Sequence, residues 1–330
     1  MSKAETGRLC VGVDLHKTQF TICALNEDGE YLLEKQYPTK EEGYSEFARE
    51  MHRFEEQGCS IELAVETTGN ARFFKNRMES EFFAVKVVNT NRFKVITMST
   101  KKTDANDAAT LAYYLMKDML PEAHLCSQTS EEIRRLLKTR SVLVQSMVKI
   151  KNQIHGMMLG YGIETKAAQL QSKRKRQELI NDLEDHNFSA YTAPSLKVML
   201  KILDDLSAEI KGIEKLLEEM VASNEDVALL MTVPGIGINT ATVIAAYTAE
   251  LERFEGNYKK FASYVGIIPS VHNSNETTHY GRITKHGPQE LRTAFVQAAL
   301  GMIRLTNVSS EWRIIKEYQR RKGDKGSGRA

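Results

Sequence analysis

Apolar residues in the first third of the chain come in short runs. Leu9–Leu15 (LCVGVDL) and Phe20–Leu25 (FTICAL) read as two strands, the segment NEDGE as a turn, and Tyr31–Gln36 as a third strand closing an antiparallel meander. Residues 41–57 carry a helical pattern, Ile61–Val65 is a fourth strand, 70–80 a helix and Val85–Val88 a fifth strand. Residues 104–119 (DANDAATLAYYLMKDM) read as a helix that opens on acidic residues, which suit the positive end of a helix dipole.

The middle changes period. From Ile133, apolar residues recur at Leu136, Leu143, Met147, Ile150, Ile154 and Met157, with Arg140 in the one missing position. A second run, Leu196, Met199, Leu203, Leu206, Ile210, Ile213, Leu217 and Met220, keeps heptad spacing. Gly160, Gly162, a KRKR stretch and Pro194 lie between the runs, so a helical hairpin or coiled coil is expected. It serves internal packing, oligomerisation or a clamp on nucleic acid. The remainder holds an Ala/Thr-rich helix after PGIG (234–237), a Gly-rich polar loop, and a helix from about Gln289 to Leu305.

Three divisions follow: 1–125 α/β, 126–225 a helical linker, and 226–330 mostly α. Three meander strands followed by alternating helices and strands is the order of an RNase H-like fold. In such a sheet the first and fourth strands adjoin.

Composition adds little until charge is mapped along the chain. With 330 residues, 45 Lys+Arg against 43 Asp+Glu, the net charge is only +2. The basic residues, however, are clustered. Lys86, Arg92, Lys94, Lys101 and Lys102 form one stripe without acids, and Arg134, Arg135, Lys138, Arg140, Lys149 and Lys151 form another. Lys173–Arg176 and the tail from Arg313 to Arg329 complete the set. Local basic stripes in a nearly neutral chain point to a polyanion partner. Four scattered cysteines with no CxxC argue against zinc and disulfides and suit a reducing cytoplasm. No apolar run reaches the roughly 20 residues that span a bilayer, and no signal peptide is apparent.

The chemistry lies in four acids. Asp14 ends the first strand in VGVDLHK, and Glu66 ends the fourth in AVETTGN. Asp104 and Asp107, three apart in KTDANDAA, share one face of a helix. Singly, Asp14 reads equally as a turn residue and Asp104 as a helix N-cap. Together they would repel one another, and Mg²⁺ or Mn²⁺ would relieve the repulsion and clamp a phosphodiester.

VGVDLHK, VETTGN and KTDANDAATLA resemble the N-terminal domain of the DEDD-type transposases, the IS-110 insertion-sequence family that includes the Piv/MooV invertases. The resemblance implies a RuvC-like fold, a metal-binding tetrad at Asp14, Glu66, Asp104 and Asp107, and a DNA transposase or site-specific recombinase. Thr67 or Thr68 stands where the family often has Pro.

The stretch Phe261–Ala299 is similar to the family's second domain. Gly266–Pro269, the Ser274-Asn275-Glu276 loop, Gly281–Gly287 and Leu291-Arg292 match its pattern in turn. Ser274 takes the place of the nucleophilic serine, although Asn275 and Glu276 replace the usual glycines and Ser270 lies nearby. From the residues alone, a serine in a polar loop is more often merely solvated. Arg282, Lys285 and Arg292 are candidate phosphate ligands. Gly235 and Gly237 would let backbone N–H groups approach a phosphate, as in half of a helix-hairpin-helix. His272, His279 and His286, seven apart, do not have zinc spacing.

The expected reaction is cleavage and rejoining of donor and target double-stranded DNA through a covalent phosphoserine. The alternative is a metal-only, junction-resolving endonuclease. The resemblance further implies a dimer to tetramer with sites assembled between protomers, a structured bridge RNA as guide, and a bacterial cytoplasmic, nucleoid-associated setting. Arg92, Lys94, Lys101, Lys102, Arg134, Arg135, Lys173 and Arg174 are the remaining candidate nucleic-acid contacts.

Overall fold

The computed structural model describes residues 7–90, 92–93, 103–182, 188, 191–274, 277–305 and 311–325. The chain forms two compact units, Met1–Leu125 and Cys126–Ala330.

In the first unit, β1 (Arg8–Leu15), β2 (Gln19–Leu25), β3 (Tyr31–Pro38), β4 (Ser60–Glu66) and β5 (Ala84–Val88) form one sheet. Its strand order is β3-β2-β1-β4-β5. β2 runs antiparallel to β1 and β3, while β4 is parallel to β1 and β5 to β4. The first and fourth strands are therefore neighbours, in register Val13 to Val65.

Helices cover both faces of the sheet, which is why β1 and β2 read as apolar runs and not as alternations. Leu9, Val11, Val13 and Leu15 point into a core with α1 (Glu41–Glu56) and α2 (Ala71–Glu79). Phe20, Phe47 and Phe74 interlock there with ring centroids 5.7–6.3 Å apart. Burying each such ring stabilises the unit by roughly 1.5–3 kcal/mol. The other face carries Cys10 and Ala64 against Leu111 and Leu115 of α3 (Asp104–Met116). Ala108 and Ala112 of the same helix pack on Cys23 and Leu25 of β2.

Gly12 brings β1 and α3 into backbone contact. A Cβ at that position would lie 2.0 Å from the Ala108 carbonyl oxygen and 2.4 Å from the Ala112 nitrogen. No larger residue fits between this strand and this helix.

The second unit is mostly helical. α4 (Gln128–Leu159) and α6 (Thr192–Val221) pack antiparallel, with α5 (Lys173–Asp182) between them in sequence. Ile133 and Leu137 meet Leu217 and Val221, while Ile154 and Met158 meet Leu196, Leu200 and Leu203. Much of the heptad pattern is thus used within the chain. Arg140, at the interrupted position, reaches Glu214 across the pair at 2.6 Å.

Beyond the pair come α7 (Glu225–Met231), α8 (Ile238–Thr248), α9 (Tyr258–Val265), α10 (Gln289–Arg304) and α11 (Arg313–Lys325). Val227, Ala241 and Ala245 share one core with Ile133, Leu137, Leu217 and Val221, so the border at 225/226 falls inside a common core. In place of the polar loop that the sequence suggests, β6 (Pro269–Ser274) and β7 (Thr277–Ile283) form an antiparallel hairpin. No described helix is long and apolar enough to cross a membrane, and all four cysteines are free.

Candidate functional site

Side chains alternate along β1, so Asp14 lies on the same face as Cys10 and Gly12, toward α3. Its side chain is 15% exposed. α3 starts beside it because Thr103 caps the helix, its hydroxyl accepting from the Asn106 N–H at 3.2 Å. The cap is Thr103 and not Asp104, and both Asp104 and Asp107 lie in the first turn.

His16 lies where strand and helix converge. Its Nε2 is 3.0 Å from Asp14 Oδ2 and 3.4 Å from Asp104 Oδ1. One donor atom from each of Asp14, His16 and Asp104 lies within 4.8 Å of the others. Burial pushes the Asp14 carboxyl above its ordinary value, His16 pulls it down, and Asp104 and Asp107 add to the push. A half-buried carboxyl raised in part by like-charged neighbours is an environment that a cation relieves. Hard oxygens with one imidazole fit a divalent metal.

Glu66 ends β4, two residues beyond Ala64 on the α3 face, and is half-buried. It and Asp107 stand outside the 4.8 Å group. Thr67 fixes the turn after Glu66 by donating its hydroxyl and its N–H to the Val88 carbonyl on β5.

In the second unit Ser274 ends β6 and pairs with Thr277 at the hairpin tip; Asn275 and Glu276 lie outside the described residues. Ser270 sits lower on β6, and its Oγ occupies the space beside Gly281, 2.2 Å from where a Cβ would stand. The base of the hairpin is pinned by the segments that flank it. Gly266 ends α9 with φ 74°, and Lys285 donates its N–H to the Gly266 carbonyl. A Cβ on Gly287 would lie 1.8 Å from the Tyr264 carbonyl oxygen, so only glycine lets the returning chain pass the end of α9. Arg292 donates to the carbonyls of Val265 (3.0 Å) and Gly287 (2.7 Å).

The other candidate cations divide in the same way. Arg134 donates twice to the Ala246 carbonyl and stacks on Tyr247 at 4.2 Å, so it closes the end of α8. Arg176, only 2% exposed, pairs with Asp204 and the Leu170 carbonyl. Arg92, Arg135, Lys173, Arg174, Arg282 and Lys285 are exposed. Arg135 and Arg174 pair with Glu131 and Glu178 on their own helices. Lys94, Lys101 and Lys102 lie outside the described residues. Gly235 (φ 90°) is packed on Gly301 of α10, while Gly237 caps α8 with open space beyond its Cα.

His16 is the residue that sequence reading missed. Its signal was its place two residues after Asp14, one side-chain period further along the chain.

Residues 11–163 match the family model for DEDD-type IS110 transposases, and residues 227–313 match that described as "Transposase IS116/IS110/IS902 family". The transposase for insertion sequence element IS1328 of Yersinia enterocolitica is 25% identical, over 88% of this chain and 82% of that one. The transposase for IS1111A of Coxiella burnetii is 23% identical, over 89% and 78%. A probable family 20 transposase of Pseudomonas aeruginosa is 21% identical, over 92% and 87%. These matches define a DNA transposase or recombinase. The chain belongs to the IS110 family.

Proposed function

We propose that the chain cleaves and rejoins DNA strands through a serine-linked intermediate, with a RuvC-like first unit supplying the acids. The observation that carries this reading is the convergence of Asp14, His16 and Asp104 where β1 ends and α3 begins. The strand order β3-β2-β1-β4-β5 supports the RuvC-like assignment.

In the first step Ser274 Oγ attacks the phosphorus of a phosphodiester. The Oγ–P bond forms, the bond to the 3′ oxygen breaks, the serine gives up its proton, and the leaving 3′ oxygen gains one. In the second step the 3′ hydroxyl of another strand attacks the phosphoserine, rejoining DNA and restoring the serine. Asp14, Glu66, Asp104 and Asp107 would hold Mg²⁺, or Mn²⁺, with His16 beside them. When bound, the ion supplies charge stabilisation to the attacking and leaving oxygens. Arg282 and Lys285, exposed on the same hairpin and turn as Ser274, are suited to the phosphate's charge.

Donor and target duplexes are the substrates. A structured guide RNA is the proposed second partner, supported by the family resemblance and by the exposed cations Lys173 and Arg174. A dimer to tetramer is the proposed state, supported by apolar residues left exposed on the helical pair, Val142 and Val148 on α4 and Val198 and Leu216 on α6.

The test is a trapping assay. Protein, co-expressed RNA and end-labelled junction DNA are incubated with Mg²⁺, denatured and run on a gel. A covalent protein–DNA band that disappears in Ser274→Ala and Asp107→Ala but persists in Ser270→Ala is expected. Cleavage without such a band, indifferent to Ser274→Ala, would establish metal-only hydrolysis instead.

A further inference from the structure

The end of β1 has two sides, and the acids use one of them. Leu15 points to the opposite face, toward α1 and α2. Just past it, the His16 carbonyl accepts from Thr39 Oγ1 (3.0 Å) and Asn70 Nδ2 (3.2 Å), which tie the strand end to the starts of both helices. On this side lies a cleft of about 710 Å³.

Its surface has an unusual composition. Leu15 and the buried ring of Tyr44 contribute apolar wall, and Phe73, whose ring lies 5.6 Å from that of Tyr44, is 56% exposed. Gly69 has no atom within 4 Å of where its Cβ would be, so this edge is open. Lys17 and Lys40 line the cleft, both exposed, and neither pairs with a carboxylate among the described residues. The cleft's acid, Glu41, is already held by Arg77 at 2.9 Å. The cleft therefore offers an uncovered aromatic face flanked by two ammonium groups.

An aromatic platform between cations is the chemistry that holds unpaired nucleotides: the base stacks and the phosphates pair. Continuity with the acids identifies the strand. His16 borders both places, its ring at Asp14 and Asp104 and its carbonyl at the cleft edge.

We propose that this cleft binds unpaired nucleotides of the DNA strand next to the phosphate being cleaved, with a base on Phe73 and phosphates on Lys17 and Lys40. The inference rests on the strand-transfer reading above. It requires the duplex to open locally, because a base still paired and stacked cannot lie flat on Phe73.

The test uses the full-length protein with its co-expressed RNA. The probes are junction DNA, a single-stranded DNA oligonucleotide and an RNA oligonucleotide of the same sequence, each carrying 2-aminopurine at successive positions. Wild type should quench the fluorophore at positions beside the cleavage site. Phe73→Ala and Phe73→Leu should lose that quenching and bind about tenfold more weakly, and Phe73→Trp should restore both. Phe73→Leu keeps the apolar volume, so its loss separates stacking from folding. Lys17→Ala/Lys40→Ala should flatten the salt dependence of single-strand binding by about 1.4 log units per log unit.

Quenching indifferent to Phe73 overturns the proposal, as does a Phe73 dependence confined to the RNA probe. If wild type shows no Asp107-dependent cleavage yet quenches single-stranded DNA through Phe73, the strand-transfer reading fails and the cleft stands.

Discussion

Asp14 and Ser274 each lie at the end of a β-strand, but their surroundings have little else in common. β1 has hydrogen-bonded neighbours on both edges and helices on both faces. β6 has one neighbour, β7, in a two-stranded sheet, and Val271, Tyr280 and Ile283 of that ribbon are exposed. A two-stranded ribbon is marginal by itself in water. The acids are thus held between a central strand and a packed helix, the support that the proposed metal site would need. The serine is carried at the end of a two-stranded hairpin whose base is held by Gly266 and Arg292.

That contrast can be broken at the acids first. Gly12→Ala should be the most damaging change, because the new Cβ meets backbone atoms that cannot rotate aside. A cost of about 1–3 kcal/mol in unfolding free energy is expected. Protein that still folds should cleave about 100-fold more slowly, because α3 must move Asp104 and Asp107 away from Asp14. Unfolding at wild-type temperature with unchanged cleavage would show that the strand and helix have slack.

The ribbon has a comparable pin in Arg292. Arg292→Ala leaves the Val265 and Gly287 carbonyls without their donor and should destabilise the second unit by roughly 1–3 kcal/mol. Arg282→Ala, on the exposed ribbon, should leave the melting temperature unchanged and lower the salt dependence of DNA binding by about one unit. If the two variants behave alike, the division between a structural arginine and a phosphate-facing one is wrong.

The smallest effect should be a pH dependence in the first unit. The Arg8 guanidinium pairs with Glu62 at 2.7 Å and holds its carboxyl below the ordinary value, with Lys86 assisting. A carboxyl lowered in the folded state contributes stability that is complete above its ordinary value, about 4.5, and lost as pH falls through the lower folded value. Arg8→Gln should remove up to about 1 kcal/mol near neutral pH and little once Glu62 is protonated. Acid titration followed by circular dichroism measures this; equal loss at neutral pH and in strong acid would mean that Arg8 acts through packing.

The same contrast governs what could be read from sequence. Strands with mostly buried side chains leave apolar runs, so β1, β2, β4 and β5 were legible with boundaries shifted by a residue, while the mostly exposed β3 was legible from the NEDGE turn before it. That Asp14, Glu66, Asp104 and Asp107 fall at two strand ends and a helix start was legible because the apolar runs fix where those elements stop and begin. A polar two-stranded hairpin leaves no such pattern, and PSVHNS and TTHYGRI read as loop. Charge counting cannot distinguish an arginine in solvent from one closing a helix end: Arg134 and Arg176, counted in the basic stripes, donate to backbone carbonyls inside the second unit. His16 was overlooked because one histidine carries no spacing of its own.

The missing side chain at Gly12 has one more consequence. Strand and helix touch there without an intervening group, so the gap between Asp14 and the two aspartates of α3 is set by backbone thickness and by nothing adjustable. The two elements behave as a single casting. Transplanting either one alone into a related transposase would misalign the jaws, whereas moving 8–15 and 103–116 together should carry the spacing with them.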